Sequence, residues 1–127
     1  NYRMPNINAA LGCAQLEELP EFLVKKRELA KRYAAALKEV PGISFFEEPV
    51  FARSNYWLNA ILLGADFANE RDAVLAALND AGIMARPIWN IMYTMPMFAD
   101  CPRMDCLVAE NIGSRLINIP SSVVLGE

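Results

Sequence analysis

The chain has 127 residues, 54% of them hydrophobic and 21% charged, which suits one globular domain with its own core rather than a disordered segment. Its 12 basic and 15 acidic residues leave a net charge of −3 with no basic block, which argues against nucleic acid or an anionic membrane as partner. No apolar run reaches the ~18–20 residues of a membrane span, and no signal peptide is visible.

Pro5 suits the first turn of a helix, where its missing N–H costs little. Ile7, Ala10, Leu11 and Ala14 then follow the spacing of one apolar face, so a helix is expected to about Leu19. Pro20 is expected to open a second helix at a bend, because proline disfavours the helical state in the residue before it. Phe22, Leu29, Tyr33, Leu37 and Val40 form the inward stripe of that helix, Glu21–Lys25 and Glu28–Arg32 are i,i+4 pairs on the wet side, and Pro41-Gly42 ends it. Ile43 to Phe46 reads as a short strand, residues 47–55 as a loop around Pro49, and Tyr56 to Leu63 as a strand followed by Gly64. Asn69 is a good N-cap for a helix that carries Val74, Leu75 and Leu78 inward and stops at Gly82. Ile83 to Ile88 reads as another strand, leading into a proline-interrupted loop from Trp89 to Pro102. A helix from about Met104 to Ile112 and a strand from Arg115 to Ile119, closed by Pro120, complete the chain.

This order predicts an α+β fold: two leading helices, then a mainly antiparallel sheet with helices on one face. We expect one domain over 1–127, with 1–41 as leading interface helices and 42–127 as the α/β sandwich portion. The long helical lead-in, and a start at Asn1 without an initiator methionine, lead us to expect a fragment of something larger.

Candidate chemistry is sparse. Histidine is absent, which removes the usual neutral-pH acid/base group and excludes Ser–His and Cys–His nucleophiles within the chain. Cys13, Cys101 and Cys106 are odd in number and lack secretory features, so reduced thiols and a cytoplasmic location are expected. Without histidine they do not complete a zinc site, and no metal is expected. The six glycines are dispersed and form no phosphate loop. Glu17-Glu18 and Glu47-Glu48 read as solvated charges with no partner to shift them. Lys25, Lys26, Lys31 and Lys38 all fall on the second helix, read as a wet face with acidic neighbours, unsuited to a Schiff-base lysine. The chain therefore looks catalytically incomplete.

Two segments stand out. Asn1-Tyr2-Arg3-Met4-Pro5-Asn6, just before a helix start, joins amide and guanidinium groups to free backbone N–H groups and can hold a phosphate. The plainer alternative is a helix cap beside a surface arginine. Arg86-Pro87-Ile88-Trp89-Asn90, continuing through Tyr93 and Met95-Pro96-Met97-Phe98, has the makings of a site rim. Arg86 can contact a diphosphate, and Trp89 or Tyr93 can stack on a sugar or base. Against that stands the reading in which Trp89, Met97 and Phe98 pin the loop to its own core.

The same segments carry a resemblance. The run from Asn1 to Leu16, NYRMPNINAALGCAQL, is similar to the segment that follows the lysine region in DegT/StrS-type sugar aminotransferases. RPIWN at Arg86 to Asn90, MPMFADCP at Met95 to Pro102 and INIPSS at Ile117 to Ser122 resemble the same family, in order along nearly the whole chain. Among its branches the chain most resembles the one acting on nucleotide-linked 4-keto-6-deoxy amino sugars, as in legionaminic acid or bacillosamine pathways.

The resemblance implies the small C-terminal domain of a fold-type I aminotransferase that works as a homodimer. It implies pyridoxal 5'-phosphate, bound covalently by a lysine in an upstream domain, and an amino-acid donor, glutamate, whose nitrogen passes to the keto sugar. Asn1 is then the residue assigned to the partner's cofactor phosphate, with Arg3 as a second contributor, and Arg86, Trp89 and Tyr93 fall to the substrate. Relatives commonly carry histidine where this chain has Tyr93, so an acid/base role for that loop is in doubt. The chain alone is expected to be inactive, without bound cofactor, and to self-associate through its leading helices. The competing reading is a stand-alone ligand-binding or dimerisation module without chemistry.

Overall fold

Alternating side chains build the centre of the molecule. In Asn59–Leu63 (β2) and Leu116–Ile119 (β4) every second residue faces the same side, as a pleated strand requires. The computed structural model describes residues 2–126, and in it these strands pair antiparallel, Asn59 opposite Ile119 and Ile61 opposite Ile117. Ile43–Phe45 (β1) adds to β2 with Ile43 opposite Leu63, and Arg86–Pro87 (β3) adds to β4 with Arg86 opposite Asn118. The sheet runs β1-β2-β4-β3 and is antiparallel throughout, as the α+β expectation required.

The register puts Ile43, Phe45, Ile61, Leu63, Ile117 and Ile119 on one face. Tyr33 and Leu37 of a long helix, α1 (Asn6–Leu37), and Val74, Leu75 and Leu78 of α2 (Arg71–Asp80) cover that face. Ile117 is 0% exposed; burying an aliphatic side chain of that size contributes ~1.5–3 kcal/mol. The third helix, α3 (Leu107–Gly113), leads directly into β4.

Several expectations are corrected. Helix α1 runs unbroken through Pro20, so the two expected leading helices are one. An interior proline removes an N–H and crowds the carbonyl four residues back, at a cost of ~3 kcal/mol. Strong helix formers on both sides, Leu16-Glu17-Glu18-Leu19 before it and Glu21, Leu23, Lys25 and Lys26 after it, carry the helix across. Its inward stripe starts late: Ile7, Leu11, Leu16 and Leu19 are exposed, whereas Leu29 and Ala30 are buried. Val40 lies beyond the helix end and is exposed, because the chain turns at Gly42 with φ at 78°.

Helix α2 starts at Arg71 without a side-chain cap, so Asn69 is not its N-cap. Gly64 donates to the Gly42 carbonyl at 2.7 Å and Phe67 to Gly64 at 3.0 Å, which tightens Ala65–Glu70 into a 3-10 turn. That turn already holds the backbone a cap would serve. Of the strand expected over 83–88 only Arg86–Pro87 pairs, since Ile83 closes α2 by donating to Leu78 and Pro87 has no N–H. Strand β2 begins at Asn59 rather than Tyr56, whose φ of 47° is left-handed and breaks extended pairing.

Candidate functional site

Several side-chain hydrogen bonds brace the turn ahead of β2. Glu48 accepts from both terminal nitrogens of Arg27 and from the Ser54 N–H. Arg27 also donates to the Ser54 carbonyl at 2.7 Å and lies 5.5 Å from the centre of the buried Tyr56 ring. These contacts hold Tyr56 in its left-handed conformation, a state costing ~1–3 kcal/mol in a non-glycine residue. The Arg27 hydrogen bond, then that from Ser54, pull the Glu48 carboxyl down to about 2. Glu48 is therefore no unpartnered loop charge, contrary to the reading of Glu47-Glu48.

Beyond Tyr56 the chain reverses outward at Trp57. Its N–H donates to Asn55 Oδ1 at 2.9 Å, and its carbonyl accepts from Ser121 Oγ at 2.6 Å and Lys26 Nζ at 3.2 Å. Lys26 also donates to the carbonyls of Tyr56 at 3.2 Å and Ser121 at 2.6 Å. Burial lowers the pKa of this ammonium, yet three carbonyl acceptors favour its charged form. Lys26 is thus a structural tie and not part of a wet face. Its position, four residues after Phe22 and three before Leu29, already placed it on the apolar stripe.

On the side of the sheet away from α1, a cleft of about 410 Å3 opens at β3. Leu58, Arg86, Ile88, Trp89, Asn90 and Asn118 contribute to its walls. Arg86 is exposed, and its side chain makes no hydrogen bond or ion pair among the described residues. Asn118 donates to the Pro87 carbonyl at 3.3 Å, fixing the strand that carries Arg86. The Trp89 indole stacks on that of Trp57, ring centres 6.0 Å apart and planes 23° from parallel. Each of these tryptophans is 65% exposed, so Trp89 does not pin its loop to the core; Phe98, half-buried, is better suited to that. The structure therefore brings Arg86 and Trp89 together and adds Trp57, which sequence reasoning passed over as a strand residue.

Tyr93 is elsewhere. Its hydroxyl donates to the Glu110 carboxylate, and the Arg103 guanidinium lies 4.2 Å from its ring centre. Chiefly through Glu110, its pKa is pushed up to about 12. Tyr93 does not line the Arg86 cleft, and both its hydroxyl and its ring already have partners.

Arg3 is exposed in the extended lead to α1, and Asn1 lies outside the described residues. At 1.5 Å per residue, the start of α1 stands roughly 30 Å from Lys26 and the Trp57 turn. Arg3 and Arg86 therefore cannot reach one small ligand within a single chain.

As for a cofactor, Lys25 is paired with Glu21 at 2.8 Å, Lys31 lies 3.7 Å from Glu28, and Lys26 is embedded among carbonyls. Lys25 and Lys31 lie beside carboxylates and Lys26 among carbonyls, none in the desolvated pocket that a Schiff-base lysine needs, so these three do not fit covalent attachment of pyridoxal phosphate. Among the described residues no cluster of acidic or thiol side chains could hold a metal, and no helix is long and apolar enough to cross a membrane.

Comparison with known proteins gives a consistent picture. The family described as DegT/DnrJ/EryC1/StrS aminotransferase matches residues 1–127. GDP-perosamine synthase of Escherichia coli O157:H7 is 37% identical over 121 residues, which cover 95% of this chain and 32% of that protein. GDP-perosamine synthase of Caulobacter vibrioides is 32% identical over 128 residues, covering 100% of this chain and 34% of that protein. Among solved structures, the Helicobacter pylori aminotransferase PseC, involved in pseudaminic acid biosynthesis, superposes with a TM-score of 0.88 at 24% identity, over 97% of this chain and 33% of that one. That likeness bears on the fold. The chain spans about a third of the length of the curated relatives it matches.

Proposed function

We propose a function from one premise: this chain belongs to the DegT/DnrJ/EryC1/StrS aminotransferase family. It is the C-terminal domain of a pyridoxal-phosphate-dependent aminotransferase that moves an amino group from an amino acid, glutamate, to a nucleotide-linked 4-keto-6-deoxy sugar. The names of relatives support the substrate class, since they include GDP-, dTDP- and UDP-sugar enzymes. The cofactor supplies the amine-transfer chemistry when bound, and its covalent lysine comes from outside these residues.

The observation that carries this reading is the Arg86 cleft. A free guanidinium beside an exposed indole binds a charged, ring-bearing ligand, and no acid/base group stands with them. In our reading Arg86 meets the diphosphate, Trp89 stacks on the base or sugar, and Asn1 and Arg3 meet the cofactor phosphate of a partner subunit. Tyr93, whose hydroxyl is held by Glu110 away from the cleft, has no substrate contact in this reading. The ~30 Å between the two ends of α1's reach supports a homodimer, because each end then serves a different site. In this reading residues 1–41 are the leading interface segment and 42–127 the α/β sandwich portion. Three cysteines free of disulfides suit a cytoplasmic enzyme.

The test is amine transfer from glutamate to GDP-, UDP- and dTDP-linked 4-keto-6-deoxy sugars, followed with the 127-residue chain and with a protein joining it to the upstream domain of a relative. Transfer by the joined protein, its loss on Arg86→Ala, and none by the chain alone are expected. Turnover by the chain alone would overturn the reading.

A further inference from the structure

The INIPSS segment and Trp57 have no part in the nucleotide reading, and they meet at one place. Ser121 and Lys26 both hold the Trp57 carbonyl, and Asn55 holds its N–H. A tryptophan whose main chain is fixed on both sides, yet whose indole is 65% exposed, leaves apolar surface in water that the fold had every means to cover. Its ring lies against Trp89, which walls the Arg86 cleft. Trp89 itself sits on a segment without regular structure, and its indole needs a support to keep one orientation.

We infer that Trp57 is a positioning residue for nucleoside diphosphate binding: it backs the Trp89 indole so that the base stacks on the far side, while Arg86 takes the diphosphate. This rests on the nucleotide reading above. Charge and shape agree, since the cleft offers an unpaired cation, two amide side chains and an aromatic wall. Ser121 and Lys26 act one step further back, fixing the turn from which Trp57 projects.

The two tryptophans are the only ones in the chain, so its indole fluorescence reports on this pair alone. The experiment titrates the 127-residue chain with GDP, UDP and inorganic pyrophosphate, reading fluorescence and, for pyrophosphate, calorimetry. Saturable quenching by GDP, tighter than pyrophosphate binding, is expected. Trp57→Leu should weaken GDP at least about fivefold, the lower end for loss of one base–aromatic stack, and leave pyrophosphate affinity unchanged. Trp57→Phe, which keeps a ring behind Trp89, should restore most of the loss. Undiminished GDP affinity in Trp57→Leu, or equal losses for GDP and pyrophosphate, would overturn the inference. If pyrophosphate binds and GDP binds no better, stacking is overturned while the diphosphate role of Arg86 stands. If neither binds, the nucleotide reading falls and takes the inference with it.

Discussion

Arg27 and Glu48 meet side-on, each through two atoms. Arg27 Nη1 donates to Glu48 Oε2 at 3.0 Å while Nη2 reaches Oε1, joining the middle of α1 to the loop before the tryptophan turn. Sequence separation hides the pair, since the two residues are 21 positions apart.

This pair sets an acid limit. The folded Glu48 titrates at about 2 against an ordinary 4.5. A depressed folded pKa gives stability that is present above 4.5 and lost as pH falls from there through about 2. Thermal melts across that range should show a steeper fall in Tm for the wild type than for Glu48→Gln. Because the pair is partly open to water, added salt should shrink the difference. Parallel pH profiles for the two proteins would show that Glu48 contributes nothing.

Two glycines with left-handed φ provide a controlled comparison. A Cβ at Gly42 would stand 2.5 Å from the Phe67 ring, whereas at Gly82 nothing lies within 4 Å. Gly82→Ala should cost only the ~1–2 kcal/mol of the left-handed conformation. Gly42→Ala should cost ~1–3 kcal/mol more, because the ring must give way. Urea denaturation of both variants checks the order, and Phe67→Leu should recover part of the Gly42→Ala loss.

Asn59 is 1% exposed, and among the described residues neither polar atom of its side-chain amide has a hydrogen-bond partner. Leaving a buried amide unsatisfied costs ~1–3 kcal/mol. Asn59→Val, which suits β2 and removes the amide, should therefore stabilise the chain by ~1–3 kcal/mol in urea denaturation. A loss of stability instead would mean the amide is bonded in solution.

Tyr93 should titrate late. Its phenol is raised to about 12 chiefly by Glu110. The difference in ultraviolet absorbance between wild type and Tyr93→Phe should show one tyrosine ionising near that pH. In Glu110→Gln the same difference should move down towards the ordinary 10. An ordinary midpoint in the wild type would mean the hydroxyl is free, and available to a substrate after all.

Periodicity revealed the core well because burial imposes it: Val74, Leu75 and Leu78 do turn inward, and β2 and β4 lie within the stretches read as strands. Misreadings cluster where distant residues decide. Pro20 looked like a boundary because local preference opposed it, while the formers flanking it favoured continuation. Asn69 lost its capping role to a turn built by Gly42 and Gly64. Arg86 and Trp89 were legible as a site because they are neighbours in sequence. Trp57 was not, since it joins Trp89 only after β2 and β4 pair, and no local pattern encodes that. Lys26 could have been found from its place on the apolar stripe, had its charge not been taken as proof of a wet position.

The unbroken helix through Pro20 has a mechanical consequence. Its first turns stand clear of the sheet, so the segment from Asn6 to Pro20 is a lever roughly 21 Å long. Proline leaves the Leu16 carbonyl without its helical donor, and helices bend most readily at such a gap. A bend of ~20° there would carry the tip near Arg3 through roughly 7 Å. The cleft at Arg86 would not feel that swing, because Arg27 and Lys26 anchor the helix beyond the fulcrum. One rod thus carries two ends that can be adjusted separately, the far one in reach and the near one in aim.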